Sequence, residues 1–346
     1  MRMRVWKKTK PLIYALLAAA FYAINVPMSK LLLNHIEPTT MAALLYLGAG
    51  IGIGIMSLGK KEKSDRLTRN DLPFVIGMIV LDIAAPIFLM LGINYGSSSN
   101  ASLLGNFEIV ATTVIALVLF QETVSKRLWM AIALITVSSI LLSFDGADSF
   151  KFSYGSLFVL LATICWGFEN NCTRNISSKN TYEIVVLKGI FSGLGSLIIA
   201  LIRRESMPGF LYIALAMILG FVAYGLSIFL YVRAQNTLGA AKTSACYAVA
   251  PFIGAFLSFV FLRESLTGMY LIAFVFMIAG TVLVVADTLM QTHIHLHQHT
   301  FTHVHDGSTH THIVTHSHEH NHYRHEKVHS HHHSKAELEK ALTAHI

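Results

Sequence analysis

Two kinds of side chain in this sequence are spaced to do chemistry: alternating histidines near the C-terminus, and carboxylates inside long apolar runs. Of the 19 histidines, 17 fall between His293 and His333. Many stand two apart: His293/His295/His297/His299, His303/His305, His310/His312 and His316/His318/His320/His322. In an extended chain, residues two apart lie on the same side, so neighbouring imidazoles can close on one ion. Neutral imidazole suits Zn, Ni, Co and Cu, and with an ordinary pKa of about 6.5 most such rings are neutral near pH 7. Asp306, Glu319 and Glu326 add oxygen ligands. The competing readings are an expression tag and a low-complexity linker. A tag fits poorly, because the triplet His331–His333 is not terminal and the alternation extends far upstream. Metal binding is the stronger reading, serving a cytoplasmic sensor or gate, a store, or a collector of transported metal.

The carboxylates carry a different chemistry. Asp82 and Glu108 stand within apolar runs, where a charge in a membrane costs about 2.5–3.5 kcal/mol or more. Such groups line solvated pathways, so both are candidates to bind a cation or carry a coupling proton. The competing reading is a carboxyl buried and hydrogen-bonded between helices. Glu169 and Lys188 suit mutual pairing, or snorkelling of Lys188 to the interface, and a structural role is favoured for them. Asn25, Asn94, Asn170 and Tyr224 fit either a polar pathway or interhelical hydrogen bonds. Trp166 stands one turn before Glu169, as a wall for a solute or as a packing aromatic. Glu122 and Glu264, each followed by Thr or Ser, read as caps for the helix that follows. The lone body histidine, His35, sits in a loop with no evident role. No Ser/His/Asp set, phosphate loop or dinucleotide fingerprint occurs in the body, so an enzyme is not expected.

Composition says what must position these groups. Hydrophobic residues make up 54% of the 346 and charged residues 13%, against roughly 25% charged in a soluble domain. Mean hydropathy is +0.57. These values exclude a cytosolic enzyme, a disordered protein and most nucleic-acid binders. Net charge is +7, but the basic residues sit in short loops rather than in one patch, so no nucleic-acid partner is expected. Cys165, Cys172 and Cys246 form neither a disulfide framework nor a metal motif.

Spans of about 20 apolar residues cross a bilayer, and ten are readable: 12–33, 39–58, 72–94, 99–120, 127–144, 153–172, 182–202, 208–233, 240–262 and 266–289. The break near Ser97 is the weakest. The first span, with basic Met1–Lys10 before it and Ala18/Ala20 within it, also mimics a signal peptide. Its later counterpart argues for a retained span. Phe21–Asn25 lies over Cys165–Glu169 at an offset of 144, and Phe120–Val124 over Leu262–Leu266 at 142. Spans 1–5 and 6–10 are thus two copies of one unit. An odd number of spans per copy inverts the second, the plan of secondary transporters with a midplane site. Lys and Arg near span ends favour a cytoplasmic N-terminus by 16 to 4, which returns the tail to the cytoplasm.

With these features the chain resembles the drug/metabolite transporter superfamily, within it the EamA-type permeases, over about residues 10–290. The resemblance rests on the repeats of about 140 residues, on Gln121-Glu122-Thr123 and Arg263-Glu264-Ser265 before the last span of each, and on Pro251 early in span 9. Glu108-Ile109 stands where the first repeat lacks that proline. The resemblance implies movement of small metabolites, amino acids, nucleobases or amphiphiles, and implies nothing about the tail.

The expected fold is therefore an all-α, ten-span integral membrane protein: a basic N-terminus (1–11), two inverted five-helix repeats (12–144 and 153–289) and a disordered His-rich cytoplasmic tail (290–346). The expected function is transport of a small metabolite or amino-acid-like solute across the cytoplasmic membrane by alternating access. Its cavity would be lined by Asn25, Asp82, Glu108, Trp166, Glu169 and Tyr224. Transport needs no cofactor; Zn, Ni or Co would bind the tail. The alternatives are a divalent transition-metal transporter loaded by the tail, and a membrane-anchored metal sensor. Ser334–Ala344 has a helical pattern compatible with docking or a homodimer.

Overall fold

The computed structural model describes residues 2–58, 65–120, 125–143, 153–238, 247–264, 267–305 and 308–323. The chain divides into a body, Met1–Val285, and a C-terminal unit, Ala286–Ile346. The body is helical: α1 (Arg2–Ala23), α2 (Asn25–Leu32), α3 (Pro38–Ser57), α4 (Leu72–Tyr95), α5 (Ser98–Leu104), α6 (Phe107–Phe120), α7 (Lys126–Leu142), α8 (Tyr154–Ile176), α9 (Thr181–Ile202), α10 (Phe210–Gly220), α11 (Ser227–Leu238), α12 (Ala250–Leu262) and α13 (Gly268–Leu289). A 3₁₀ turn, Arg69–Asp71, leads into α4, and a π-helical turn, Phe221–Leu226, joins α10 to α11.

Among the described residues, six helical stretches are long and apolar enough to span a bilayer: Pro11–Leu32, Pro38–Ser57, Arg69–Tyr95, Thr181–Ile202, Phe210–Ala234 and Gly268–Asp287. The other expected spans differ for separable reasons. Span 4 is broken into α5 and α6 at Gly105-Asn106. The helix of span 5 has 17 residues. Span 6 is long, but Glu169, Asn170, Asn171, Arg174 and Asn175 crowd its second half. Of span 9, the regular helix is the 13-residue α12, and residues 239–246 lie outside the described set. Span 1 also breaks, between α1 and α2. Pro27 has no N–H for the carbonyl of Ala23, so the ladder lapses there. The weak break near Ser97 is a real turn, where the Ser97 hydroxyl accepts from the Asn100 N–H at 3.2 Å.

Large apolar side chains such as Ile55, Val80, Phe210 and Val275 are exposed. An apolar exterior of this kind suits lipid rather than water. The inside is unlike that of a soluble protein. Small hydroxyl residues, among them Ser29, Thr40, Ser98, Ser138, Thr163 and Ser192, are buried with the aliphatic core. Their hydroxyls bond mostly to carbonyls, for example Ser138 Oγ to the Ala273 carbonyl at 2.7 Å.

Helix α3 is the most enclosed of the spans, and its glycines explain how. A Cβ on Gly50 would stand 2.6 Å from the Ile190 nitrogen of α9. One on Gly48 would overlap the Met217 carbonyl of α10, and one on Gly220 would overlap the Leu45 carbonyl of α3. Backbone meets backbone on both sides, as small residues permit in membranes. Gly48→Ala should therefore destabilise the bundle by about 1–3 kcal/mol, the ordinary cost of overpacking. Unfolding in a mild detergent reads this, with Gly54→Ala, which meets only Val186 at 3.8 Å, as the near-neutral comparison.

Two carboxylates tie helices together at one end of the body. After α9, Arg204 adopts a left-handed φ of 58° and turns Glu205 back over α3. Glu205 accepts from the Thr40 N–H at 2.7 Å and the Thr39 N–H at 3.3 Å. After α12, Arg263 repeats the device with φ 52°. Glu264 accepts from the Ser98 and Ser99 N–H groups at 2.7 and 2.8 Å. Glu264 thus caps α5, not the helix that follows it as its local context suggests. That helix, α13, is capped by Thr267, whose hydroxyl accepts from the Tyr270 N–H. A two-residue offset cannot reveal a partner 166 residues away. Glu122 lies outside the described residues. The complementary end of α4 is held by Lys30, which donates to the carbonyls of Ile93 and Gly96 at 2.5 and 2.8 Å. Both charges match the helix dipoles they face. Glu264→Ala should cost about 1 kcal/mol, in the range of a lost N-cap; thermal unfolding measures it.

The C-terminal unit departs from the expected lack of fixed structure. Its backbone forms an antiparallel hairpin, β1 (Met290–His305) with β2 (Ser308–Tyr323). His305 pairs with Ser308, leaving two residues between the strands. Those residues are Asp306-Gly307, the dipeptide that two-residue hairpins prefer. The histidines alternate with Thr, Ile, Leu and Val, a strand-forming pattern. Ser334–Ala344 lies outside the described residues.

The twelve histidines expected to bind metal divide evenly between the strands: His293, His295, His297, His299, His303 and His305 on β1, and His310, His312, His316, His318, His320 and His322 on β2. Spacing alone treats them as equivalent, and the register distinguishes them. His322 stands opposite Gln291, not opposite a histidine. The register places it two residues beyond the start of the β1 histidine run at His293, so it has no cross-strand histidine partner. His299 likewise stands opposite Val314, His305 opposite Ser308 and His312 opposite Phe301.

Candidate functional site

The site is assembled on several helical segments by residues far apart in the chain. On α8, Trp166, Glu169, Asn170 and Thr173 recur at helical spacing and form one stripe. On α4, Asp82 stands one turn before Pro86, which cannot donate to its carbonyl. On α9, Lys188 faces both acidic side chains. Its Nζ lies 2.9 Å from Asp82 Oδ2 and 2.9 Å from Glu169 Oε1. Asp82 is fully buried, and side-chain exposure at Glu169 and Lys188 is 3% and 10%. A buried ion pair is sustained only when its remaining polar atoms are satisfied. Here Tyr46 of α3 donates to Asp82 Oδ1 at 3.0 Å, and Thr173 donates to Glu169.

A second layer continues from this triad. Asn170 donates to Glu108 Oε1 at 2.6 Å, joining α8 to α6. Asn25 of α2 donates to the Tyr224 hydroxyl at 3.0 Å and is itself fixed by Ser29 at 3.1 Å. Tyr224 stands within the π-helical turn; such turns recur at functional sites because they re-aim side chains. Its ring packs 5.1 Å from that of Tyr46 and 5.9 Å from that of Tyr22, centroid to centroid. Tyr247 adds a fourth ring, 5.7 Å from Tyr22. Trp166 belongs to the same buried core cluster as Tyr46 and Tyr224.

Of the six body residues singled out from the sequence, Asn25, Tyr224, Asp82 and Glu169 belong to one connected polar and aromatic network; Glu108 bonds to Asn170, the chain neighbour of Glu169, and Trp166 packs in the core with Tyr46 and Tyr224. Tyr46 and Lys188 complete it: Tyr46 links the tyrosines to Asp82, and Lys188 links Asp82 to Glu169. Tyr46 was missed because a tyrosine in an apolar run reads as ordinary core. The sequence offers Lys188 either Glu169 or the membrane interface, and gives no sign of Asp82. The charge of Lys188 in the middle of Leu187–Ile190 was the available signal. His35, given no role from the sequence, stacks on Tyr212 at 4.2 Å. Among the described residues of the helical body, no three His, Cys, Asp or Glu side chains are grouped to hold a metal ion.

Chemically, the network sets three carboxylates against one ammonium beneath a tyrosine wall. It can hold an extra positive charge, a proton or an ammonium, and offers Lys188 to an anion. Tyrosine faces also favour cations, by about 0.5–2 kcal/mol.

A bundle of apolar spanning helices around a buried charged network defines a multi-pass membrane transporter. The family model described as "EamA-like transporter family" matches residues 9–144 and again 153–286, and the chain belongs to that family. It is 23% identical over 290 residues to an uncharacterized transporter of Methanothermobacter thermautotrophicus, covering 76% of this chain and 82% of that one. It is 23% identical over 291 residues to an uncharacterized transporter of Clostridium kluyveri, covering 79% and 92%. The uncharacterized transporter YyaM of Bacillus subtilis is 20% identical over 249 residues, covering 69% and 82%. A solved structure titled only as a crystal structure of a protein superposes with a TM-score of 0.58 at 15% identity, covering 80% of this chain and 96% of that one. That likeness concerns the fold alone.

Proposed function

We propose that the protein is a ten-span secondary transporter of a small amine-bearing metabolite of the amino-acid type, working by alternating access between two inverted repeats in the cytoplasmic membrane. Both termini would face the cytoplasm. The observation that carries this reading is Lys188 held between Asp82 and Glu169 at 2.9 Å each, with Glu108 close by on Asn170. An anchor has no use for such a buried set, because each charge is costly in a membrane. A carrier does. The solute ammonium would meet the surplus carboxylates and the tyrosine faces, and a solute carboxylate would meet Lys188. When the solute leaves, a proton on Asp82 or Glu108 can restore the balance of charge.

The test is uptake of an amino-acid and amine panel into proteoliposomes under an imposed pH gradient. Asp82→Asn and Glu108→Gln are compared with the native chain. At least one should lose gradient-driven accumulation. If both transport at native rates with unchanged pH dependence, the reading fails.

A further inference from the structure

The hairpin register does more to the histidines than alternation does. Residues directly opposite across an antiparallel pair share a face, as do residues two apart on one strand. By register, His293 pairs with His320, His295 with His318, and His297 with His316. Three consecutive histidine pairs therefore form one block of six. The remaining histidines of both strands belong to the same face, because each pairs with, or stands an even number of residues from, a member of that block: His303 pairs with His310, His299 with Val314, Phe301 with His312, and Gln291 with His322. The other face is built from Thr292/Asn321, Ile294/Glu319, Leu296/Ser317 and their neighbours. A single-residue slip would scatter the histidines over both faces. The register does the opposite and gathers all twelve onto one.

We propose that this face is a transition-metal site, with the block His293/His320, His295/His318 and His297/His316 as its tight centre. On any antiparallel ladder, opposite positions stand about 5 Å apart and positions two along a strand about 7 Å apart. Four positions of that spacing fit around one ion with metal–nitrogen bonds of about 2 Å. A purely imidazole set selects borderline ions, Zn, Ni, Co and Cu, over Mg and Ca, which demand oxygen. The central pair, His295/His318, belongs to both quartets that the block can form. It is the position where one change should matter most. His322, two residues past the block with Gln291 across from it, belongs to neither quartet. The site lies in the C-terminal unit, so it stands or falls independently of the transport reading.

Histidine number alone would give a different result, and one comparison separates the two. The full-length chain in detergent micelles is titrated calorimetrically with Zn²⁺, and with Ni²⁺ and Co²⁺ in turn, alongside two variants. His295→Gln/His318→Gln removes the central pair. His329→Gln/His331→Gln/His333→Gln removes more histidines, all beyond β2. The first variant removes two ligands from either quartet and should weaken the tightest equivalent about tenfold or more, or at least about 1.4 kcal/mol. The second should leave it within about twofold, or 0.4 kcal/mol. Equal loss in both variants, no loss in the first, no binding by the native chain, or equal binding of Ca²⁺ would each overturn the proposal.

Discussion

Lys188→Met should be the most damaging single substitution in the bundle. It leaves Asp82 and Glu169, both buried, facing each other without the ammonium that lies 2.9 Å from each. Removing one member of a buried ion pair costs about 3–5 kcal/mol, because the remaining charge keeps its desolvation penalty and loses its compensation. Here two carboxylates are stranded rather than one. The expected outcome is a large fall in the midpoint of thermal unfolding in detergent, together with loss of transport. The diagnostic result is the triple variant Lys188→Met/Asp82→Asn/Glu169→Gln. It replaces every charge of the triad by a neutral group of similar size, so most of the stability should return, while transport should not. Recovery of stability without transport assigns the charges to function. If Lys188→Met unfolds within a degree or two of the native chain, the pairing contributes nothing.

Asp82→Asn should produce the second large effect, and its form is more informative than its size. Asparagine has nearly the shape of a protonated aspartate and can still accept from Tyr46, now at 3.0 Å from Asp82 Oδ1. It cannot gain or lose a proton. A carrier locked in one protonation state can still shuttle solute both ways, so exchange across a membrane with no pH gradient should persist. Uphill accumulation driven by a proton gradient should disappear, because the gradient acts only through a group that titrates during the cycle. Counterflow of labelled solute measures the first, and gradient-driven uptake the second. Loss of both would make Asp82 structural. Retention of both would pass the coupling role to Glu108, for which Glu108→Gln is the same experiment.

Much of the body was legible in advance because a bilayer is an exacting solvent. It sets span length, excludes loose charge and makes an Asp or Glu in an apolar run stand out. Asp82, Glu108 and Glu169 were visible for that reason, and Asn25 and Tyr224 as polar groups at the same depth. The helix breaks had local signals: Pro27 for the lapse after Ala23, and Gly105-Asn106 for the break in span 4. What could not be read was pairing at long range. Lys188 lies 106 residues from Asp82 and Tyr46 lies 36, and nothing local to a helix says which neighbour it will meet. Glu264 is the same lesson in the opposite direction. Its local context promised a cap for the next helix, while the positive φ of Arg263 turns it toward α5. The π-helical turn at Tyr224 has no sequence signature at all. In the tail, composition argued for disorder, but strand propensity and Asp306-Gly307 argued for the hairpin. The alternation marked His322 and His318 alike, and only the register separates the one opposite Gln291 from the one opposite His295.

Glu205 and Glu264 cap α3 and α5 from segments that belong to other helices, α9 and α12. Both caps lie at the end of the body where α2, α3, α4 and α5 meet through short turns. Separating the helices there means uncapping two N-termini together. If each cap is worth about 1 kcal/mol, the pair biases the closed arrangement of that end by roughly thirtyfold, a coupling of the size that regulates conformational equilibria. In the alternating-access reading, four backbone amides and two carboxylates would in this way weight the closed arrangement, at a distance from the proposed solute site.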